Sequence, residues 1–427
     1  MRTFSTGVFL AAFLLFILFD LFAFKGCMRA CFRKSQKRRN VFSIIYRAFS
    51  IIVLVLLLLF YFDYHRHPAD PVKFKRMMDF NGLFIAQLLP KIVIAVVRIM
   101  LDLYSGVTQL FIKKIPKRKT KSQGASRKIS RGDFIQRAGI IIAAIPFIGV
   151  IHGIGWGRFN FTLHRKKVFL KHLPDSFEGF TIVQLSDAHL GSFPNQKERI
   201  AHVFKQVNDL KPDLIVFTGD MVNNFSNEIS GWVPVWQKLH APYGKFSVLG
   251  NHDYGGYSDW PSPQAKQRNL QETIRQEKEM GFQVLMNQSV RIEKNKQFLY
   301  LAGVENWGRK PFPQRGRLDL ALKGIPDDAT TILLSHDPNH WDDKVLRKVP
   351  VDLTLSGHTH GFQFGFEWGP VRFSPVQLRY KRWAGLYHEQ EQYLYVNRGL
   401  GYLAFPGRVG IWPEITLIEL TGKTEIS

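Results

Sequence analysis

Two regimes of hydrophobic patterning divide this chain of 427 residues. Up to about residue 157 the apolar positions come in runs of about twenty, the length that crosses a hydrocarbon core of roughly 30 Å. Gly7 to Phe24 is interrupted only by Asp20, Val41 to Phe62 only by Arg47, and Ala138 to Gly157 carries no Asp, Glu, Lys or Arg. Asn81 to Ile112 is apolar too, but Lys91, Arg98 and Asp102 fall on one stripe at about 100° per residue. That segment either spans with its charged side inside a helix bundle or lies in the interface as an amphipathic helix. Beyond residue 157 the runs shorten to strand length: Thr181 to Leu185, Leu214 to Phe217, Phe246 to Leu249, Thr331 to Leu334 and Leu353 to Leu355. Helix-like stretches, among them Gln196 to Leu210 and Gln264 to Met280, separate them. This order predicts buried strands of an α/β sheet. The chain therefore reads as an all-α membrane region over 1–157, with about four transmembrane helices and basic loops, followed by an α/β domain over 158–427.

Each short run ends on side chains that bind metals. In order they are Asp187-Ala188-His189, Gly219-Asp220, Gly250-Asn251-His252-Asp253, His336 and Gly357-His358-Thr359-His360. Taken singly, Gly-Asp after a strand is a turn and a lone histidine belongs to a core. Independent turns, however, have no reason to line up histidines and aspartates in series at strand ends, where the crevice of an α/β sheet lies. Two carboxylates, an amide oxygen and four imidazoles are too many for one tetrahedral ion, and the mixture of oxygen and nitrogen suits borderline transition metals. Two divalent ions sharing one carboxylate fit the count.

The five motifs, in this order and without a gap, resemble those of the calcineurin-like metallophosphoesterases. The resemblance implies an α/β/β/α sandwich and two divalent transition-metal ions (Mn, Fe or Zn). It implies that Asp187, His189, Asp220 and His360 hold the first, and that Asp220 bridges to a second held by Asn251, His336 and His358. His252 corresponds to the family's acid or phosphate-contacting histidine, and Asp253 to an acidic neighbour that helps orient it. Two such ions acidify water and polarise a phosphoryl group, so no side chain need be the nucleophile. Gln363, Ala384 to Tyr387, Leu394 to Gly401 and Pro413 to Ile415 are similar to a branch of membrane-bound and exported bacterial phosphodiesterases. That branch includes enzymes cleaving the pyrophosphate of UDP-2,3-diacylglucosamine in lipid A synthesis; Phe362 departs from it, standing where a second glycine is usual. Asn251, Arg398 and Arg408 are the candidate contacts to substrate phosphate, the arginines because a guanidinium fork suits it; solvated loop arginines are the other reading. Trp368 to Trp383 mixes aromatic and basic residues, a composition that grips lipid headgroups near a membrane or forms a loop with a charged rim.

The formal charge of +24 invites a nucleic-acid reading, and its distribution removes it. Residues 1–156 hold a net +19 and residues 157–427 only +5. The excess lies beside the apolar segments, where positive charge is a topology signal. Lys25 to Val41 has seven Lys and Arg and no acid, and Lys113 to Arg137 has ten against Asp133 alone. Both belong in the cytoplasm, which requires Asn81 to Ile112 to cross and the last span to deliver the α/β domain to the external or periplasmic face. Ser130-Arg131-Gly132-Asp133-Phe134-Ile135 resembles a degenerate twin-arginine leader, in the same sense. Cys27 and Cys31 are the only cysteines, a juxtamembrane lipidation site or a plain thiol pair, and no disulfide framework follows from them. The expected protein is a membrane-anchored phosphohydrolase acting on a phosphodiester or pyrophosphate of a lipid or envelope molecule. A UDP-2,3-diacylglucosamine hydrolase with a cytoplasmic site is the alternative; an inactive receptor or scaffold would show lost ligands, and none is lost.

Overall fold

The computed structural model describes residues 6–31, 35–66, 70–112, 131–193, 195–369 and 371–423. The basic linker Lys117 to Ser130, most of the ten-charge stretch and the first residue of the leader-like hexapeptide lie outside the described residues. Two compact units emerge: Met1–His67 with Phe80–His152, and Pro68–Asp79 with Gly153–Ser427. The sequence places one boundary at 157; the structure divides at 152 and returns 68–79 to the C-terminal unit.

The first unit is built on four helices, α1 (Thr6–Cys31), α2 (Gln36–Arg66), α3 (Pro71–Ile112) and α4 (Arg131–Gly155). Among the described residues, Gln36–Asp63, Pro71–Thr108 and Arg131–Phe159 are long and apolar enough to cross a membrane. The basic stretch 25–41 is mostly helix ends rather than loop, and it carries both free thiols. Charges that interrupt the apolar runs find partners inside the bundle. Asp20 Oδ1 lies 2.7 Å from Lys91 Nζ and accepts from Ser50 Oγ at 2.7 Å, while Lys91 also donates to Gln87 Oε1 at 2.8 Å. Arg98 pairs with Asp102 one turn on, and Arg47 sits 5.0 Å over the Phe24 ring. Pairing of this kind is what makes an ionisable residue tolerable at membrane depth.

The C-terminal unit is two facing sheets. One has the order β1 (Thr162–Phe169), β14 (Glu414–Thr421), β2 (Thr181–Leu185), β3 (Leu214–Phe217), β4 (Lys245–Ser247) and β5 (Gln283–Val284). The other has β12 (Gly385–Glu389), β13 (Gln392–Val396), β9 (Leu353–Ser356), β8 (Thr331–Leu334), β7 (Gln297–Gly303) and β6 (Gln288–Lys294). A separate hairpin pairs β10 (Phe366–Trp368) with β11 (Val371–Phe373). Four neighbouring strands of each sheet, β2-β3-β4-β5 and β13-β9-β8-β7, run parallel. Their short continuous apolar runs follow from burial on both faces.

Side-chain alternation assigns those faces. Ile182, Leu214, Val216 and Ile418 meet Leu299, Ile332, Leu334, Leu353 and Leu355 between the sheets. Val183, Leu185, Ile215 and Phe217 point the other way, onto α5 (Lys197–Asp209) and Trp236. Helix α5 offers Ile200, Val203, Phe204 and Val207, one stripe at helical spacing, to that contact. Beyond the second sheet, Leu333, Leu394 and Val396 pack on Trp341 and Val345 from short helical turns. The layers are thus α/β/β/α. Each fully buried Leu, Ile or Val contributes about 1.5–3 kcal/mol, so the strands that carry the motif loops form the most deeply buried part of the fold.

Candidate metal centre

The loops leaving β2, β3, β4, β8 and β9 converge, and hydrogen bonds between their backbones hold them together. Asp187 N donates to Gly219 O at 2.8 Å, His189 N to Asp220 O at 3.1 Å, and Gly357 N to His336 O at 2.9 Å. Asp187, His189, Asp220, His358 and His360 all take left-handed backbones, with φ between 44° and 74°. Such conformations cost a non-glycine residue of order 1–3 kcal/mol each and persist where the surroundings over-determine them. Gly250 shows how close the loops come: a Cβ there would lie 2.2 Å from Asp220 Oδ1.

Two buried clusters result, Asp187 with His189 and His360, and Asp220 with His336 and His358. His189 Nε2 lies 3.1 Å from His360 Nε2, which is 3.3 Å from Asp187 Oδ1. His336 Nε2 lies 3.2 Å from His358 Nδ1 and 3.2 Å from Asn251 Oδ1. Asp220 Oδ2 faces both groups, 3.2 Å from His336 Nε2 and 3.6 Å from His189 Nε2. All seven expected ligands are therefore brought together, with Asp220 between the clusters.

This donor set fits cations. Imidazole nitrogens and carboxylate oxygens converge within hydrogen-bond distance of one another in a buried space, an arrangement that positive charge between them would stabilise. Burial opposes charge on His336, yet the Asp220 carboxylate and its contact push this imidazole up to about 10. Burial opposes charge on Asp187 too, but His360 beside it holds its carboxyl below the usual range. The rings are oriented from behind: His336 Nδ1 is 2.6 Å from Thr218 O and His358 Nε2 is 2.7 Å from Tyr380 OH. Those contacts leave His336 Nε2 and His358 Nδ1 facing the cluster, as ligating histidines require.

His252 stands at the edge, its ring 5.0 Å from that of His189 and 4.4 Å from Tyr257. Its Nδ1 donates to Asn223 O at 2.7 Å, which leaves Nε2 free to exchange a proton. Burial lowers this imidazole to about 4, although Asp220 works against the shift. Asp253 does not orient it, contrary to expectation. Its carboxylate is turned away and accepts from four backbone N–H groups, those of Asp220, Met221, Val222 and Gly250, at 2.8–3.2 Å. The carbonyl of Asn223 does the orienting instead. Asn223 and Tyr257, whose OH accepts from Asn251 Nδ2 at 2.8 Å, went unnoticed in the sequence; nearness to the motifs along the chain is the only signal they carry.

The two arginines also depart from expectation. Arg398 is buried and its guanidinium is shared between Glu414 and Glu367. Arg408 is fully buried, with donors on the carbonyls of Gly401, Arg398, Gly399 and His360. Neither fork is turned to a phosphate. Arg408 braces the loop on which His360 stands and Arg398 ties β10 to β14, because a buried guanidinium with five donors finds carboxylates and carbonyls there before it finds solvent.

Comparison with known proteins agrees with this geometry. Residues 180–362 match the calcineurin-like phosphoesterase family, and residues 2–158 match a family described as probable calcineurin-like phosphoesterase, transmembrane domain. An uncharacterized metallophosphoesterase of Bacillus subtilis, YkuE, is 33% identical over 69% of this chain and 98% of its own length. The chain belongs to the calcineurin-like metallophosphoesterase family. It is also similar to the phosphodiesterase YaeI of Escherichia coli, 31% identical over 68% of this chain and 99% of that one. A transmembrane protein with metallophosphoesterase domain from Danio rerio is 26% identical over 72% of this chain and 68% of its own length. This metallophosphoesterase is thus a metal-dependent hydrolase with a transmembrane domain, and the matched catalytic region encloses every motif from Asp187 to His360.

Proposed function

We propose that this metallophosphoesterase hydrolyses a phosphodiester or pyrophosphate bond of a lipid or cell-envelope molecule at two divalent ions, on the external face of the membrane. The observation that carries the reading is Asp220 facing both clusters. Asp187, His189, Asp220 and His360 would hold one ion, and Asp220, Asn251, His336 and His358 the other. Divalent ions held there supply Lewis acidity for displacement at phosphorus. Around them the chain's own groups orient and move protons. His252, fixed at Nδ1 by Asn223, presents Nε2 to the phosphoryl or leaving oxygen, and a negative ester beside the ring raises its affinity for the proton it donates. Tyr257 and Tyr380 hold Asn251 and His358 in place, and Asp253 fixes the backbone of the Asp220 loop.

Sidedness rests on how the chain leaves the catalytic unit and returns. Pro68–Asp79, the start of α3, and everything from Gly153, the end of α4, belong to that unit, whereas Phe80–His152 do not. A chain that departs through a spanning α3 would return through α4 after two crossings, and this supports the reading in which the 113–130 linker lies across the membrane from the catalytic domain. Ten Lys and Arg over 113–137 then favour a cytoplasmic linker and an external metal centre.

The test is hydrolysis of bis(p-nitrophenyl) phosphate by the full-length protein in detergent. Chelation should abolish activity and added Mn²⁺ restore it, with Asp220→Asn failing to retain either ion. Turnover indifferent to chelator overturns the reading.

A further inference from the structure

We propose that the hairpin β10–β11 and the turn Pro375–Leu378 form a bilayer-docking surface that seats the mouth of the metal centre against lipid headgroups. The proposal deepens the function above and rests on its membrane phosphoester substrate.

The surface is apolar and open to solvent. Trp368 is 85% exposed, Leu378 90%, Phe362 58% and Val371 58%, with Phe366 and Phe373 exposed between them. It is one patch: the Phe366 and Phe373 rings stack at 5.8 Å, and Ser374 Oγ donates to Gly361 O at 2.7 Å, drawing the Phe362 turn against the hairpin. Soluble surfaces rarely leave so many large apolar side chains together without a partner. Tyr380, two residues beyond Leu378, touches His358, so the segment that carries the patch also reaches the metal centre.

The patch is held firmly. Glu367 of β10 pairs with Arg398, which is in turn paired with the buried Glu414 of β14, and Arg372 of β11 donates to Ala384 O. A chain of backbone contacts also links it to the end of the last apolar helix. Arg408 N donates to Gly153 O at 3.1 Å, and a Cβ on Gly157 would lie 2.4 Å from Arg408 O. One residue on, Val409 O accepts from Gly365 N at 2.9 Å, immediately before β10. From the last turn of the segment Arg131–Phe159, which is apolar enough to cross a membrane, the path thus runs through two backbone hydrogen bonds into the hairpin. Trp156 in that last turn is 68% exposed, and tryptophan marks the level of the headgroups.

Charge selects the occupant. Arg379 and Lys381 are exposed beside Leu378, and cations bordering an apolar, Trp-bearing surface suit anionic headgroups. A second copy of the chain fits worse, since a two-fold contact of this patch with itself sets those cations against one another.

The experiment uses the full chain with Cys27→Ser and Cys31→Ser, in nanodiscs of phosphatidylcholine and phosphatidylglycerol, spin-labelled at Val371→Cys. The label should be reached by oxygen and shielded from a soluble nickel chelate, whereas a label at Lys296→Cys should be open to the chelate. An aqueous label at 371, or one shielded only by dipolar contact with another labelled copy, overturns the proposal. In parallel, Trp368→Glu with Val371→Glu should lower hydrolysis of a phosphodiester lipid presented in the nanodisc by at least about tenfold. Hydrolysis of soluble bis(p-nitrophenyl) phosphate should change by less than about twofold. Equal losses on both, or none, overturn it as well. A chain inactive on every phosphoester removes the proposed function and leaves the spin label to decide the docking.

Discussion

Arg398 holds two carboxylates at once, and its replacement separates a structural role from a substrate role. Arg398→Ala strands Glu414, fully buried on β14, and breaking a buried pair in this way costs about 3–5 kcal/mol. The thermal midpoint in detergent should fall accordingly, with KM on a phosphoester little changed. Arg398→Lys should recover part of the loss, a point charge being unable to span both partners. The pH dependence has a definite sign. Burial raises the Glu414 carboxyl, but Arg398 and its other partners bring it down to about 2 from an ordinary 4.5. The stability this contributes is present above 4.5 and lost as pH falls through about 2; in Arg398→Ala the acid-side loss should move to higher pH. A raised KM in a variant that melts like the parent returns Arg398 to substrate binding. His252→Gln isolates proton transfer: both ions should remain, by metal analysis, while kcat falls by at least about 10²-fold. Unchanged kcat would remove this histidine from the chemistry. The ligand residues were legible as a series because each had to close a buried strand. The arginines were misread because a guanidinium in loop sequence looks alike whether its partner is a phosphate or a glutamate far along the chain.

Among elements, strands were easier to read than loops. β2, β3, β8 and β9 lie where the apolar runs place them, because burial on both faces leaves no alternation to confuse with a helix. Helix α3 begins ten residues before the expected Asn81, at Pro71. The charges of its first turns look like a loop, yet Lys75 and Asp79 pair across one turn at 2.6 Å and proline suits a helix start. The left-handed backbones at Asp187, His189, Asp220, His358 and His360 leave no trace in composition, since they follow from the loops pressing on one another. Asp253 is the clearest instance, joining the β4 loop to the β3 loop through the N–H groups of Asp220, Met221 and Val222 and closing on Gly250 N of its own loop. Asp253→Asn removes one acceptor oxygen and the charge. It should therefore weaken metal retention and lower the thermal midpoint together, by about 1–3 kcal/mol for donors left unsatisfied in a buried site. A variant that keeps both ions but shows an altered pH–rate profile would instead tie Asp253 to His252.

For the whole molecule the decisive quantity is the side of the membrane on which the metal centre lies, since it selects among phosphoesters that the site chemistry treats alike. Charge distribution and chain path agree. The basic stretches 25–41 and 113–137 share a side only if α3 crosses, and the catalytic unit takes in both the start of α3 and the end of α4. An odd number of crossings between those two ends would set them on opposite faces, which one compact unit cannot accommodate. A reporter active only outside the cytoplasm, fused after Ser427, should therefore be active, and the same reporter fused after Lys121 should be silent. Substrates then come from exported or outer-leaflet phosphoesters, out of reach of a cytoplasmic UDP-sugar lipid. A silent Ser427 fusion with an active Lys121 fusion inverts the molecule, places the metal centre in the cytoplasm, and makes cleavage of UDP-2,3-diacylglucosamine the first activity to assay.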